Sequence, residues 1–265
     1  MAILPRYAPH WKYDLPHPNE RLKPHIDIKS LRMTPNHIDD KYLEIPRSTL
    51  RVRGIGVLGG GIVMIIITAA LAFITYSSMT SKTNDLDVVL ICCGLLCGLY
   101  WLVFPSIRFD LESPRDEPVR FNRRRRKVYF YQFKFDRIWI LSRCKWGVQV
   151  ESHDWDDLVA EACSVYVPGH GGLIENIMIA VHKPGTDDVI ARYFFAHDIE
   201  EGTKYWALVR LYMQQGPQSL PDFVHPPRDW NNDNEVSLIR RFAPKVQWPK
   251  EMDVESRSAP STGEI

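Results

Sequence analysis

The chain has 265 residues, enough for one or two domains, and 33 Lys and Arg against 32 Asp and Glu leave a net charge of +1. That balance argues against a generally basic nucleic-acid binder. A mean hydropathy of −0.23 suits a soluble protein only as an average over two unlike regions.

Residues 1–53 are polar and punctuated by Pro5, Pro9, Pro16, Pro18, Pro24, Pro35 and Pro46. Each proline removes a backbone donor and discourages helix. The segment reads as an extended, proline-rich cytosolic arm with a short helix near Pro35 to Tyr42.

Residues 54–107 hold two uncharged apolar runs. Gly54 to Tyr76 reads "GIGVLGGGIVMIIITAALAFITY" and Val88 to Ile107 reads "VVLICCGLLCGLYWLVFPSI". Each is long enough to cross a bilayer core of about 30 Å as a helix. Two core helices of a soluble protein are the alternative, but such helices usually break their apolar runs with charge. The polar arm ahead of the first run does not read as the short basic start of a signal peptide. Arg47, Arg51 and Arg53 precede the first run, and Arg108, Arg115, Arg120 and an arginine run follow the second. Only Lys82 lies between. The positive-inside rule then predicts a two-helix transmembrane hairpin with both termini in the cytoplasm.

Cys92, Cys93 and Cys97 fall in the second run, and Cys144 and Cys163 would face a reducing cytosol, so no structural disulfide is expected. There is no Cys-x-x-Cys pair for a structural zinc site. Gly56 and Gly60, like Gly94 and Gly98, are four apart and allow close helix approach in lipid. Packing within the hairpin is the first reading; a homodimer through the same four glycines is the second.

Residues 108–216 change pattern. Val128 to Phe135, Ile138 to Leu141, Val148 to Glu151 and Leu158 to Val167 carry the branched and aromatic residues strands prefer. Leu158 to Val167 also admits a helix, but strand is favoured. Ile174 to His182 and Val189 to Ala196 flank "KPGTDD", a strong turn signal, and read as a hairpin. A helix then closes the segment. Asp198 and Glu201 have capping-box spacing, and Gly216 with Pro217 ends it. The predicted fold class is a membrane-anchored α+β protein. Its transmembrane hairpin is followed by a cytosolic antiparallel β-rich domain with a C-terminal helix, as in pleckstrin-homology-like domains. Residues 217–265 read as a proline-rich, largely disordered tail.

Three stretches carry candidate chemistry. The first is "RFNRRRRKVYFYQF", Arg120 to Phe133. Both flanks read as strand, so Arg120, Arg123, Arg124, Arg125, Arg126 and Lys127 belong to a hairpin turn and its edges. The turn starts soon after the second span, and basic groups near an anionic leaflet gain about 1 kcal/mol each. Lipid contact is therefore expected first and an acidic protein partner second. Nucleic acid is disfavoured, because the rest of the domain has no basic excess. The second stretch is "ESHDWDD", Glu151 to Asp157. It reads as an acidic loop, with a metal site through His153, Asp154 and Asp156 as the weaker enzymatic alternative. The third, "PGHGG" at Pro168 to Gly172, lacks the Gly-Lys-Ser/Thr of a phosphate loop and reads as a plain connection. There is no Gly-x-Ser-x-Gly or other nucleophile signature, and no cofactor is expected.

Two spans followed by "PVRFNRRRRKVYFYQF" and a downstream "WDDLVAEA" resemble a family of uncharacterised bacterial membrane proteins. Its signature, RFNR-x-RR-x-VY, falls on Arg120, Phe121, Asn122, Arg123, Arg125, Arg126, Val128 and Tyr129. Members are often encoded beside type VI secretion and Rhs-type toxin genes. The resemblance implies a bacterial inner-membrane protein that acts as an immunity or accessory factor for an effector. The expected function is thus non-enzymatic: a membrane-anchored domain that binds a protein partner. A structural or lipid-sensing module is the alternative.

Overall fold

The computed structural model describes residues 3–21, 31, 34–47, 55–80, 86–136, 146–167, 172–232 and 243–260. Among the described residues, nine strands lie in two antiparallel sheets. They are β1 (Trp11–Asp14), β2 (His37–Ile38), β3 (Tyr42–Ile45), β4 (Val119–Asn122), β5 (Lys127–Lys134), β6 (Gly147–Asp154), β7 (Leu158–Val167), β8 (Gly172–His182) and β9 (Val189–Ala196). One sheet has the order β2-β3-β4-β5-β6 and the other β1-β7-β8-β9. The helices are α1 (Gly61–Thr80), entered through a π-helical turn at Ile55–Gly60, then α2 (Leu86–Glu112), α3 (Ile199–Gln215) and α4 (Lys250–Arg257).

The strands predicted in the second half form at the expected places, and the "KPGTDD" turn joins β8 to β9. Helix α3 starts as expected. The Asp198 carboxylate accepts from the Glu201 N–H at 3.0 Å, and Gly216 leaves the helix with a φ of 92°, where a side chain would be strained. Its apolar face, including Trp206, Leu208, Val209 and Tyr212, closes the core between the sheets with Phe121, Trp155 and Phe195. The expected strand at Ile138 to Leu141, and Pro168 to Gly171 of the third stretch, lie outside the described residues. Cys144 does too; Cys92, Cys93, Cys97 and Cys163 are free thiols. Burial, with help from Glu161, pushes the Cys163 thiol up to about 11, so it stays protonated.

Strand β5 is buried on both faces. Val128 and Phe130 enter the core, while the Tyr129 hydroxyl meets Glu255 and the Tyr131 ring meets Trp248. A strand covered on both sides reads as a continuous apolar run rather than a clean alternation.

The N-terminal arm differs from expectation. β1 pairs with β7, and β3 pairs with β4 from Tyr42↔Asn122 to Ile45↔Val119. Leu15, Leu43 and Ile45 are core residues. In place of a helix near Pro35 to Tyr42 there is a β2–β3 hairpin. Its turn forms because the Asp39 carboxylate accepts from the N–H groups of Lys41 and Tyr42. Pro35 and Pro46 bracket the strands rather than interrupt them. The tail is likewise structured over α4, and Ala243 and Val246 are buried.

The two apolar helices pack on each other and are long and apolar enough to cross a membrane. They are not core helices: Ile65, Phe73 and Leu102 are 71%, 70% and 75% exposed, and none of the apolar window of Val57–Thr80 is buried. Thr75 and Thr80 donate their hydroxyls to carbonyls one turn back, which satisfies them within the helix itself. A Cβ on Gly60 would lie 2.8 Å from Val103 Cγ1, so that glycine lets α2 approach. Gly94 and Gly98 face open space, and Gly56 lies in the π-helical turn.

The helical hairpin connects β3 to β4, two strands paired side by side. It is therefore an insertion within a β-hairpin connection, not a leading anchor. Arg47 holds its root. The side chain is buried and donates from Nε to the Glu117 carbonyl, from Nη1 to Phe194 and from Nη2 to Tyr131, each at 2.6 Å. At the other foot, Phe109 of α2 packs on Phe133 and Phe135, and the Arg108 guanidinium lies 4.5 Å from the Trp146 ring centre.

Candidate functional site: the basic turn and the tail that covers it

Residues 123–126 form the turn between β4 and β5, as the sequence suggests. Asn122 organises it. Its Oδ1 accepts from the Arg125 N–H at 2.8 Å, an Asx-type bond that substitutes for a backbone turn. Arg126 takes a left-handed φ of 50°, a conformation costing a side-chain-bearing residue about 1 kcal/mol. The Trp155 N–H, donating to the Arg126 carbonyl, holds it there.

The cations of this stretch are partnered by the protein's own chain. Arg120 is 2% exposed and binds the Glu44 carboxylate, the Asp253 carboxylate at 2.7 Å and the Ser256 hydroxyl at 2.9 Å. Its guanidinium also lies 4.2 Å from the Trp248 ring centre, a desolvated cation–π contact. Arg123 and Arg124 share Asp40, and Arg126 binds Asp156. Arg125 donates to the Ser258 and Ala259 carbonyls, and Lys127 pairs with Glu255 at 3.3 Å. The Asn122 amide donates to the Ser256 and Ser258 carbonyls. The electrostatics follow. The hydrogen bond that Arg124 donates to Asp40 raises Arg124, and the bond from Arg126 holds Asp156 below the usual carboxylate range. Burial and then Glu255 raise Tyr129.

Helix α4 thus sits with its C-terminal end, where carbonyls lack intrahelical partners, against Asn122 and Arg125. That end also carries the negative pole of the helix dipole. Between the arginine turn and α4 runs an open cleft of about 720 Å³, bordered by Arg124, Arg126, Glu251 and Val254. A second cleft of about 540 Å³ lies behind Arg120, bordered by Asn36, Tyr42 and Trp248.

The turn is also remote from the two apolar helices. β4 runs from the hairpin root at Val119 to the turn, and β5 returns to Phe133 beside α2. The eight residues of β5 span about 25 Å, so the arginines lie at the far end of the hairpin from α2. Closeness in sequence to the second span does not become closeness in space. Arg47 and Arg120 are buried and internally bonded, and Arg115 donates to the Ala243 and Asn231 carbonyls. These three, counted as flanking charge from the sequence, serve the fold.

"ESHDWDD" is not an acidic loop. It is the end of β6 followed by a 3-10 turn, and its Trp155 is a fully buried core residue. His153 and Asp154 are adjacent on a strand and so point to opposite faces. His153 Nε2 lies 2.6 Å from the Tyr193 hydroxyl, which also donates to Glu151 Oε2 at 2.8 Å. Asp156 is held by Arg126 and Asn19. Among the described residues, no group of three or more metal-ligating side chains converges. Burial lowers His153. Burial alone would raise Glu151, but the Tyr193 bond and Lys134 outweigh it and hold it low.

The sequence reading missed the acidic half of the site: Asp40, Glu44, Asp253 and Glu255. Its one local signal was "WPKEMDVESR", with a proline just ahead of eight residues that tolerate helix.

A model of a family of unknown function, DUF6708, matches residues 96–260, from within α2 through α4. No curated protein and no solved structure matches the chain.

Proposed function

We propose that this chain, which belongs to the DUF6708 family of unknown function, is a non-enzymatic, membrane-anchored adaptor whose β-rich domain binds a protein partner. The observation that carries this reading is the insertion of the apolar hairpin between the paired strands β3 and β4. Ile45 and Val119 are hydrogen-bonded neighbours, so both ends of the hairpin must leave a membrane on the same side. The clamp at Arg47 then fixes the domain to the bilayer through two adjacent connections, a rigid mount rather than a tether.

Several features support a binding role. The two sheets closed by α3 suit a pleckstrin-homology-like domain, a frame that commonly presents binding surfaces, though a frame alone names no ligand. The basic turn projects from the end of β4 and β5 away from α2, where a soluble protein can reach it. Arg123, Arg124 and Arg126 already have carboxylate partners and Arg125 is bonded to tail carbonyls, which weakens the lipid-sensing alternative. The resemblance noted for the RFNR signature suggests the bacterial inner membrane, a cytosolic domain, and a type VI effector or secretion component as partner.

The test is co-expression with an adjacent effector gene, followed by purification of this chain from detergent. The expected result is protection from the effector and its co-purification. Neither protection nor co-purification would remove the immunity reading. A fluorescent-protein fusion at the C-terminus should be bright in cells, as for a cytoplasmic terminus; a dark fusion with an active periplasmic phosphatase reporter would reverse the proposed orientation.

A further inference from the structure

We infer that α4 is a displaceable internal ligand, and that the β4–β5 face it covers is the docking site for a short acidic helix of the partner protein. The inference rests on the adaptor reading and names the chemistry of its contact.

The way α4 is held points there. Of its eight residues only Ser256 is buried, and Val254 is 69% exposed. An isolated helix of this length does not persist in water, so docking must supply its order. That docking is nearly all polar: Asp253 and Ser256 to Arg120, Glu255 to Lys127 and Tyr129, and terminal carbonyls to Asn122 and Arg125. Trp248, two residues ahead of the helix, supplies an aromatic anchor against Tyr131 and Arg120. Contacts of this kind give register and specificity more than affinity, and equivalent groups on another chain can take their place.

The face therefore reads a definite pattern: an aromatic residue, then a short helix with an aspartate and a glutamate two apart, then open carbonyls at the helix end. Lipid fits less well, because the part of the face that takes the helix and its open carbonyls, at Asn122, Arg125, Lys127 and Tyr129, lies in the half of the β4–β5 hairpin away from α2.

The probe is a fluorescein-labelled peptide of residues 247–260, "QWPKEMDVESRSAP", added to the full chain in detergent. The intact protein should bind it weakly, because its own tail competes. A full-length D253A/E255A variant keeps the fold and loosens the tail, so it should bind at least roughly tenfold more tightly. That binding should weaken as salt rises from about 50 to 500 mM, and adding Arg125→Ala should reduce it severalfold. In the intact chain, trypsin cleavage after Lys250 and Arg257 should accelerate over the same salt range.

Equal peptide affinity in both chains, or no binding by either, overturns the inference. So does binding of anionic vesicles in place of the peptide. So does a dimeric intact chain that becomes monomeric when residues 247–265 are removed, which would mean the tail docks on a second copy. Co-purification of an effector that the peptide cannot displace removes this inference and leaves the adaptor reading standing. Peptide exchange with no co-purified effector does the reverse.

Discussion

Arg47 carries a permanent charge into the junction of the two sheets and the apolar hairpin, where three carbonyls and the Phe130 ring receive it. Removing it leaves buried acceptors without donors, at about 1–3 kcal/mol each if water cannot reach them. Arg47→Ala should therefore destabilise the domain by about 3 kcal/mol or more, read by denaturant unfolding in detergent. Arg47→Lys should recover little, because an ammonium cannot span three carbonyls as a planar fork does. Wild-type stability in either variant would mean that water enters the junction. His153 gives a prediction of the opposite electrostatic kind. Burial lowers its pKa, so the unfolded chain, with an ordinary value near 6.5, takes up the proton first. Stability should then fall as pH drops below about 6.5 towards the depressed folded value. Glu151, Asp154 and Asp157 oppose this shift without reversing it. His153→Gln should flatten that part of the Tm profile between about pH 7.5 and 5.5; identical profiles would assign the acid loss to other groups.

At the scale of elements, α3 shows two effects in competition at Gly202. Replacing a helical glycine with alanine ordinarily gains about 1 kcal/mol. Here a Cβ would sit 2.4 Å from Ile177 Cγ1 and 3.0 Å from the Ala196 Cβ, and overpacking costs about 1–3 kcal/mol. Gly202→Ala should be net destabilising by thermal unfolding. Combined with Ile177→Ala, it should cost less than the sum of the two single variants. Strands β7, β8 and β9 and helix α3 were legible because each carries its own period and punctuation. The strands of the arm were not. β2 and β3 have two and four residues; β3 is placed by pairing with β4, far along the chain, and β2 by pairing with β3. Helix α4 was illegible for a related reason: eight mostly polar residues do not make a helix without a surface to dock on.

For the whole molecule, the arrangement implies that the β-rich domain is built from chain on both sides of the apolar helical hairpin. A chain in which residues 49–113 are replaced by a short Gly-Ser linker should fold as a soluble domain, since Ile45 and Val119 are already paired neighbours. Circular dichroism and size-exclusion chromatography check this. Aggregation would show that α2 is needed to cover Phe133, Phe135 and Trp146, the surface on which its foot rests. The same architecture explains why the arm, rather than trailing free, contributes to both sheets.

The sequence alone determined the local features: two uncharged runs of spanning length, a capped and glycine-terminated α3, the β8–β9 hairpin, and a turn at the arginines. Each follows from composition or periodicity within about twenty residues. Only the tertiary structure decided where the charges go. Arg120 meets Glu44 across 76 positions and Ser256 across 136. No local pattern encodes such pairs. They arise because the apolar hairpin is inserted between adjacent strands and because a polar tail returns across β4 and β5. The basic stretch therefore reads as a membrane contact along the chain and, in space, as a set of internally paired cations covered in part by the tail.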